Sequence, residues 1–201
     1  MRDRVFGLFQ DWTRRRPKDV FAIRSQFNVG LGILDATTNP EPPDSRFFDW
    51  RGQAQYVRLL APDTLIVFRA DLQLATGALV PLEQFALGGQ QSVRGYRQDA
   101  LLTDNGISAS AELRLPILRV KKVKGVLQLV PFVDVGMGWN NSGNPDVKQN
   151  TLAGVGLGLQ WQMGDWLTAR FDWGIPLTTL DAGKKSLQEQ GIYFSINYSP
   201  F

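Results

Sequence analysis

The stretch that decides the fold is Ala153-Gly154-Val155-Gly156-Leu157-Gly158-Leu159-Gln160-Trp161-Gln162-Met163. Its odd positions carry alanine, valine, leucine, leucine, tryptophan and methionine; its even positions carry only glycine and glutamine. A period of two is that of an extended strand with one greasy face and one small or polar face. On a helix, Leu157 and Gly158 would lie on neighbouring faces and no such separation would arise. The three glycines therefore read as small positions inside a strand, not as a dinucleotide-binding fingerprint, which needs a helix directly after it.

Working outward, the alternation recurs along the chain. Phe21, Ile23, Phe27, Val29, Leu31 and Ile33 oppose Arg24, Gln26, Asn28, Gly30 and Gly32. Phe48, Trp50, Ala54 and Tyr56 oppose Asp49, Arg51, Gln53 and Gln55. Ile66 to Leu74, Ile107 to Leu115, Leu127 to Trp139, Leu167 to Trp173 and Ile192 to Tyr198 behave alike, and a weaker segment lies near Val5 to Trp12. This predicts an all-β chain of about eight strands. Many exceed the ~5–6 residues usual in globular sheets and approach the ~9–11 that a tilted strand needs to cross a bilayer.

Hydropathy conceals such a chain, because only alternate residues would face lipid. Nothing comes near the ~20 consecutive apolar residues of a membrane helix, and no apolar run follows Met1 as a signal peptide would require. The polar parity carries opposed charges and glycines. The apolar parity carries aromatics near strand ends; Trp50, Trp139, Trp161, Trp166 and Trp173 would suit the interfacial girdles of a membrane barrel. Short links (14–19, 61–64, 119–125, 164–165) alternate with long ones (35–45, 77–106, 140–150, 179–190). Short periplasmic turns and longer external loops are the pattern of a transmembrane antiparallel β-barrel. That assignment makes 77–106 external.

Composition narrows function. The 201 residues contain no histidine and no cysteine. Ser-His and Cys-His nucleophilic pairs are excluded, as are zinc sites built on either residue. Lys+Arg is 22 against Asp+Glu 19, a net charge of +3 that is too mild and too dispersed to argue for nucleic acid. Arg14-Arg15-Arg16-Pro17-Lys18 reads as a solvated turn. Glu112, Asp134 and Asp172 read as inward charges balancing Arg114 and Arg170, and not as a hydrolytic pair. No catalytic residue, metal or cofactor is expected.

The longest loop contains Phe85-Ala86-Leu87-Gly88-Gly89-Gln90-Gln91-Ser92-Val93-Arg94-Gly95-Tyr96. Together with Leu101 to Gly106, Glu112 to Pro116 and Phe132-Val133-Asp134-Val135-Gly136, it resembles the two-partner-secretion transporters (the hemolysin secretion/activation family), within the wider BamA-like superfamily. The resemblance covers nearly the whole chain. It implies a bacterial outer-membrane protein that exports a secreted partner, or, in the same superfamily, one that inserts other barrels. It implies about half of a barrel of about sixteen strands, residues 1–201 being a C-terminal part without the family's N-terminal barrel half or POTRA domains. The remaining alternatives are a small ligand-binding or structural barrel, a non-functional fragment and an outer-membrane hydrolase.

The resemblance also implies that loop 77–106 folds back into the lumen and that Arg94, Gly95 and Tyr96 lock to Asp134. Gly88, Gly89, Ser92, Val93, Phe132 and Gly136 would be the supporting motif. The spacing itself agrees in two respects. Asp134 falls on the polar parity, and Gly136, two residues on, leaves room on the same face. Arg94 is permanently charged and can grip a carboxylate with two parallel bonds. The terminal strand resembles the signal read by barrel-assembly machinery, with Tyr198 and Phe201 as its residues. The implied partners are outer-membrane lipid, a secreted exoprotein and that machinery.

Overall fold

The structure is a computed structural model and describes residues 5–31, 43, 46–145, 147–180 and 186–199. Ten of its elements alternate with turns or loops along the chain: β1 (Val5–Arg15), β2 (Asp19–Gly30), β3 (Phe48–Ala61), β4 (Thr64–Ala75), β5 (Phe85–Leu87), β6 (Leu101–Thr103), β7 (Asn105–Val120), β8 (Gly125–Trp139), β9 (Thr151–Met163) and β10 (Leu167–Pro176). The last strand is β11 (Ile192–Tyr198). A single 3₁₀ turn, Lys121–Val123, is the one helical element among the described residues, and none there is long and apolar enough to cross a membrane as a helix.

Nine strands make one antiparallel sheet in the order β1-β2-β3-β4-β7-β8-β9-β10-β11; β5 and β6 form a separate hairpin inside the longest loop. The count is nine where alternation suggested about eight. The weaker segment near Val5 to Trp12 is the edge strand β1: Gly7, Gln10 and Arg14 dilute its alternation, yet it pairs with β2 in unbroken register from Val5 to Arg15. Two register shifts, at Leu60 opposite β4 and at Ile117 opposite β8, place an extra apolar residue near the short turns. Among the described residues β1 and β11 do not pair, so the sheet is open.

The register places one parity of every strand on one face. Asp134 lies opposite Ser110 on β7 and Gly154 on β9; Ser110 in turn lies opposite Arg69 on β4. This face is polar yet largely buried: Asn28, Asp49, Gln73, Glu112, Gln128, Asp134, Gln160 and Asp172 are each no more than 6% exposed. The opposite face is apolar and open, with Val133 at 50%, Leu157 at 49%, Trp173 at 50% and Phe194 at 73%. In water this arrangement would expose apolar surface and bury charge, the reverse of hydrophobic burial. In a bilayer it is the required one. Aromatics mark both rims of the outward face: Trp50, Trp139 and Trp173 near the long loops, and Trp12, Trp161, Trp166 and Tyr198 near the short turns.

The lipid-facing assignment of Val133 predicts an asymmetric tolerance. Val133→Arg should destabilise the folded protein in lipid vesicles by about 2–4 kcal/mol if the site is near the midplane, while Val133→Leu should be close to neutral. Urea unfolding monitored by tryptophan fluorescence would measure both. Equal tolerance of the two changes would contradict an outward lipid face.

Candidate functional site: the loop docked on the polar wall

The loop between β4 and β7 returns onto the polar face of β7–β11. It turns at Gly88 and Gly89, whose φ values of 105° and 95° suit residues without a side chain. The Ser92 hydroxyl closes this turn by accepting from the Gly88 N–H (2.9 Å) and donating to the Gly88 carbonyl (3.0 Å). Leu87, Val93, Tyr96 and Leu101 then form a small apolar cluster with Leu152 of β9. The wall accommodates the tip by lacking side chains. A Cβ on Gly174 would stand 2.6 Å from the Gly95 nitrogen, and one on Gly136 would stand 2.6 Å from Leu87 Cδ2 and 3.0 Å from Val93 Cγ2. Gly95 itself has φ 106°, and a Cβ there would meet the Pro176 nitrogen at 2.8 Å.

This close approach delivers Arg94 to the wall. Its Nε donates to Asp134 Oδ2 (2.7 Å) and its Nη2 to Asp134 Oδ1 (2.7 Å), a two-pronged contact. The Arg94 backbone N–H also donates to Asp134 Oδ2 (3.0 Å). Nη1 reaches Glu112 Oε1 at 2.7 Å and Nη2 reaches Ser110 Oγ at 3.2 Å. The guanidinium carbon sits 3.5 Å from the centroid of the Phe132 ring. Arg94 is 2% exposed and Asp134 1%. Burial works against the arginine's charge, but the hydrogen bonds and charge of Asp134, with the charge of Glu112, outweigh it and raise the pKa above the ordinary arginine value.

The pair is embedded in a larger cluster. Arg170 donates to Glu112 Oε1 (2.8 Å) and grips Asp172 through Nε (2.7 Å) and Nη2 (2.9 Å). Arg114 lies 3.2 Å from Glu112 and Arg69 lies 3.6 Å from it. Four guanidinium groups thus face the three carboxylates Glu112, Asp134 and Asp172. The sequence reading had these charges balancing one another; it did not foresee that Glu112 would be their shared acceptor. Buried charges of this kind are tolerable only when paired and hydrogen-bonded.

Two further anchors were not singled out from sequence. Tyr193 on β11 accepts from the Gly95 N–H (2.9 Å) and donates to the Tyr96 carbonyl (2.5 Å). Tyr96 donates toward Ala153 and Thr178 and accepts from the Thr178 N–H at 3.0 Å. At the loop's base the fully buried Asp104 carboxylate accepts from the Leu79 and Asn141 N–H groups (2.9 and 2.8 Å), Gln84 (3.2 Å) and Asn144 (2.6 Å). Parity marked Tyr193 as inward; nothing in spacing could say that it would meet a loop almost a hundred residues away.

Of the residues expected to act at the end of the chain, Tyr198 is outward, 62% exposed and edge-on to Trp166 at 5.9 Å. Phe201 lies outside the described residues.

An outward apolar sheet, a buried polar inner face and a loop folded onto that face define a transmembrane β-sheet wall with an inserted loop. Comparison with known proteins makes this particular. Residues 26–199 match the Omp85 superfamily domain, and the chain belongs to that superfamily. It is 32% identical to the outer membrane protein assembly factor BamA of Nitratidesulfovibrio vulgaris, over 66% of this chain and 18% of that one. It is 29% identical to the outer membrane transporter CdiB of Escherichia coli O6:K15:H31, over 69% of this chain and 23% of that one. Among solved structures, CdiB from Escherichia coli superposes on 96% of this chain and 35% of its own (TM-score 0.77, 23% identity). BamA from Haemophilus ducreyi lacking POTRA domains 1–3 covers 95% of this chain and 41% of its own (TM-score 0.62, 18% identity). The chain therefore spans less than a quarter of the length of these curated relatives.

The docked tip can be trapped chemically, since the chain has no cysteine of its own. Cysteines replacing Gln90 and Ser195, whose side chains approach to 3.5 Å, should be joined by a short bifunctional thiol reagent. Arg94→Ala, by stranding buried carboxylates, should cost the docked state about 3–5 kcal/mol and sharply lower the yield. Arg94→Lys should also lower it, because an ammonium cannot serve Asp134 and Glu112 in the same planar geometry. Undiminished crosslinking in Arg94→Ala would show that the guanidinium does not hold the loop.

Proposed function

We propose that this chain forms part of the wall of an outer-membrane pore that exports a secreted partner protein, and that Arg94–Asp134 sets the pore's resting state. The observation that carries the reading is the tip of a long loop held on the inner wall by a buried, two-pronged ion pair. The CdiB likeness supports the transporter class. Nothing in the arrangement calls for catalysis: the carboxylates are spent on guanidinium groups, and no nucleotide or cofactor is required. Movement of an unfolded substrate through such a pore would be set by the loop's position and by the substrate's own folding outside.

In this reading Arg94, Gly95, Tyr96 and Asp134 are the loop-to-wall lock. Gly88, Gly89, Ser92, Val93, Phe132 and Gly136 shape the turn and the surface it rests on. Residues 1–201 are the C-terminal part of the barrel, 77–106 its long external loop, and Tyr198 with Phe201 the signal for barrel-assembly machinery. An N-terminal barrel half and POTRA domains, outer-membrane lipid and the exoprotein complete the partner set. Insertion of other barrel proteins is the second reading, favoured by the match to BamA.

The two are separated by depletion in the native cell. Loss of one secreted protein with normal outer-membrane protein levels supports export; a general fall in outer-membrane proteins supports insertion and overturns export. The lock is tested in the intact protein by charge reversal. Asp134→Arg should abolish most export. The reciprocal swap with Arg94→Asp should restore only a little, because it sets a carboxylate against Glu112, now 2.7 Å from Arg94 Nη1. Adding Glu112→Gln to the swap should improve the rescue. Export unaffected by Asp134→Arg would sink the lock.

A further inference from the structure

The two halves of the polar face differ. On β8–β10 the loop lies over Gly136, Gly138, Gly154 and Gly174. On β1–β4 the face carries longer side chains, and a cavity of about 760 Å³ separates them from the flank of the docked loop. Six glutamines line this slot: Gln53, Gln55 and Gln73 from the wall, Gln84, Gln91 and Gln98 from the loop. Four of its five charged side chains are in ion pairs: Arg24 with Asp11 at 2.7 Å, Arg51 with Asp49 at 3.1 Å and Glu83 at 2.9 Å, and Arg69 with Glu112 at 3.6 Å. Gln73 and Gln84 are engaged around Asp104, and the Gln53 amide donates to Asp71 at 2.9 Å. Gln55 and Gln91, on opposite sides and both exposed, make no side-chain hydrogen bond among the described residues.

We infer that this slot takes an extended polypeptide by its backbone, with Gln55 and Gln91 as the contacting residues and the loop still docked. The inference rests on the export reading above and gives it a path. A carboxamide both donates and accepts, as a peptide group does, so it can pair with a passing main chain whatever side chains that chain carries. With Asp71 the one lining charge outside an ion pair among the described residues, the slot neither strongly selects an acidic or basic segment nor traps it. The lining is also unlike that of a small-molecule pocket, which is predominantly apolar with few polar groups. The rest of the polar face cannot serve, because the loop backbone and Arg94 occupy it.

The test uses the intact protein in planar bilayers with an unfolded glycine-serine polypeptide as probe, which offers backbone and almost nothing else. The parent should conduct ions, and the probe should interrupt the current. The double variant Gln55→Leu/Gln91→Leu should keep the ion conductance but shorten the interruptions roughly tenfold, the effect of two lost hydrogen bonds. Gln55→Asn/Gln91→Asn should keep most of the dwell time, and the Gln90→Cys/Ser195→Cys crosslink should leave it intact. Unchanged dwell times in the leucine variant, or their loss on locking the loop, overturn the slot while leaving export standing. A parent that conducts no ions removes the export reading and the slot with it.

Discussion

Everything about the inner face depends on keeping a guanidinium charged out of water. Moving such an ion from water into a low-dielectric interior costs several kcal/mol even after relaxation, and the cost is offset only by good geometry and complete hydrogen bonding. Arg94 meets that demand with bonds to Asp134, Glu112 and Ser110 and an aromatic face beneath it. The carboxylates need the arginine as much as it needs them. This mutual requirement makes the docked loop a discrete state: a partly withdrawn Arg94 would leave charges stranded on both sides.

The glycines are the other half of the same constraint. A guanidinium can reach Asp134 only if the loop backbone comes almost into contact with the wall, as Gly95 does against Gly174 and Pro176. Side chains on β8–β10 would hold the loop too far away for the short bonds observed. The poverty of the polar parity in Ala153 to Met163, which first marks it as a strand, is thus also what admits the loop. Fold signal and site signal are here one feature of the sequence.

Alternation made the strands and their inward parity legible, because the two faces meet different solvents and a one-residue slip would exchange them. It placed Asp134, Glu112, Arg170 and Asp172 inward, and link lengths found the long loop. Family resemblance, not spacing, pointed Arg94 at Asp134. β1 showed only as a weaker segment, because glycine and charge on an edge strand dilute its alternation. Two things were illegible. The role of Glu112 as common acceptor depends on side chains from β4, β7, β10 and the loop converging, which no linear pattern encodes. Tyr193 and Asp104 act through backbone groups of the loop, and a backbone donor leaves no mark in sequence.

The open sheet sets a last physical condition. Among the described residues the outer edge of β1 and that of β11 each present a row of unpaired backbone groups, and in hydrocarbon each such group costs several kcal/mol. Lipid cannot satisfy them, so further strands, from this or another chain, must do so before the sheet is stable in a membrane. The two edges are not equivalent. β11 is tied through Tyr193 to the loop tip, while on the polar face of β1 and β2 the ion pair among the described residues is Arg24–Asp11. A force that opened the wall would therefore meet less internal resistance beside β1 than beside β11, where separating the strand means first breaking the tip away from its hydrogen bonds. Rigidity in this molecule is concentrated where the loop docks, and compliance is left on the side that carries the slot.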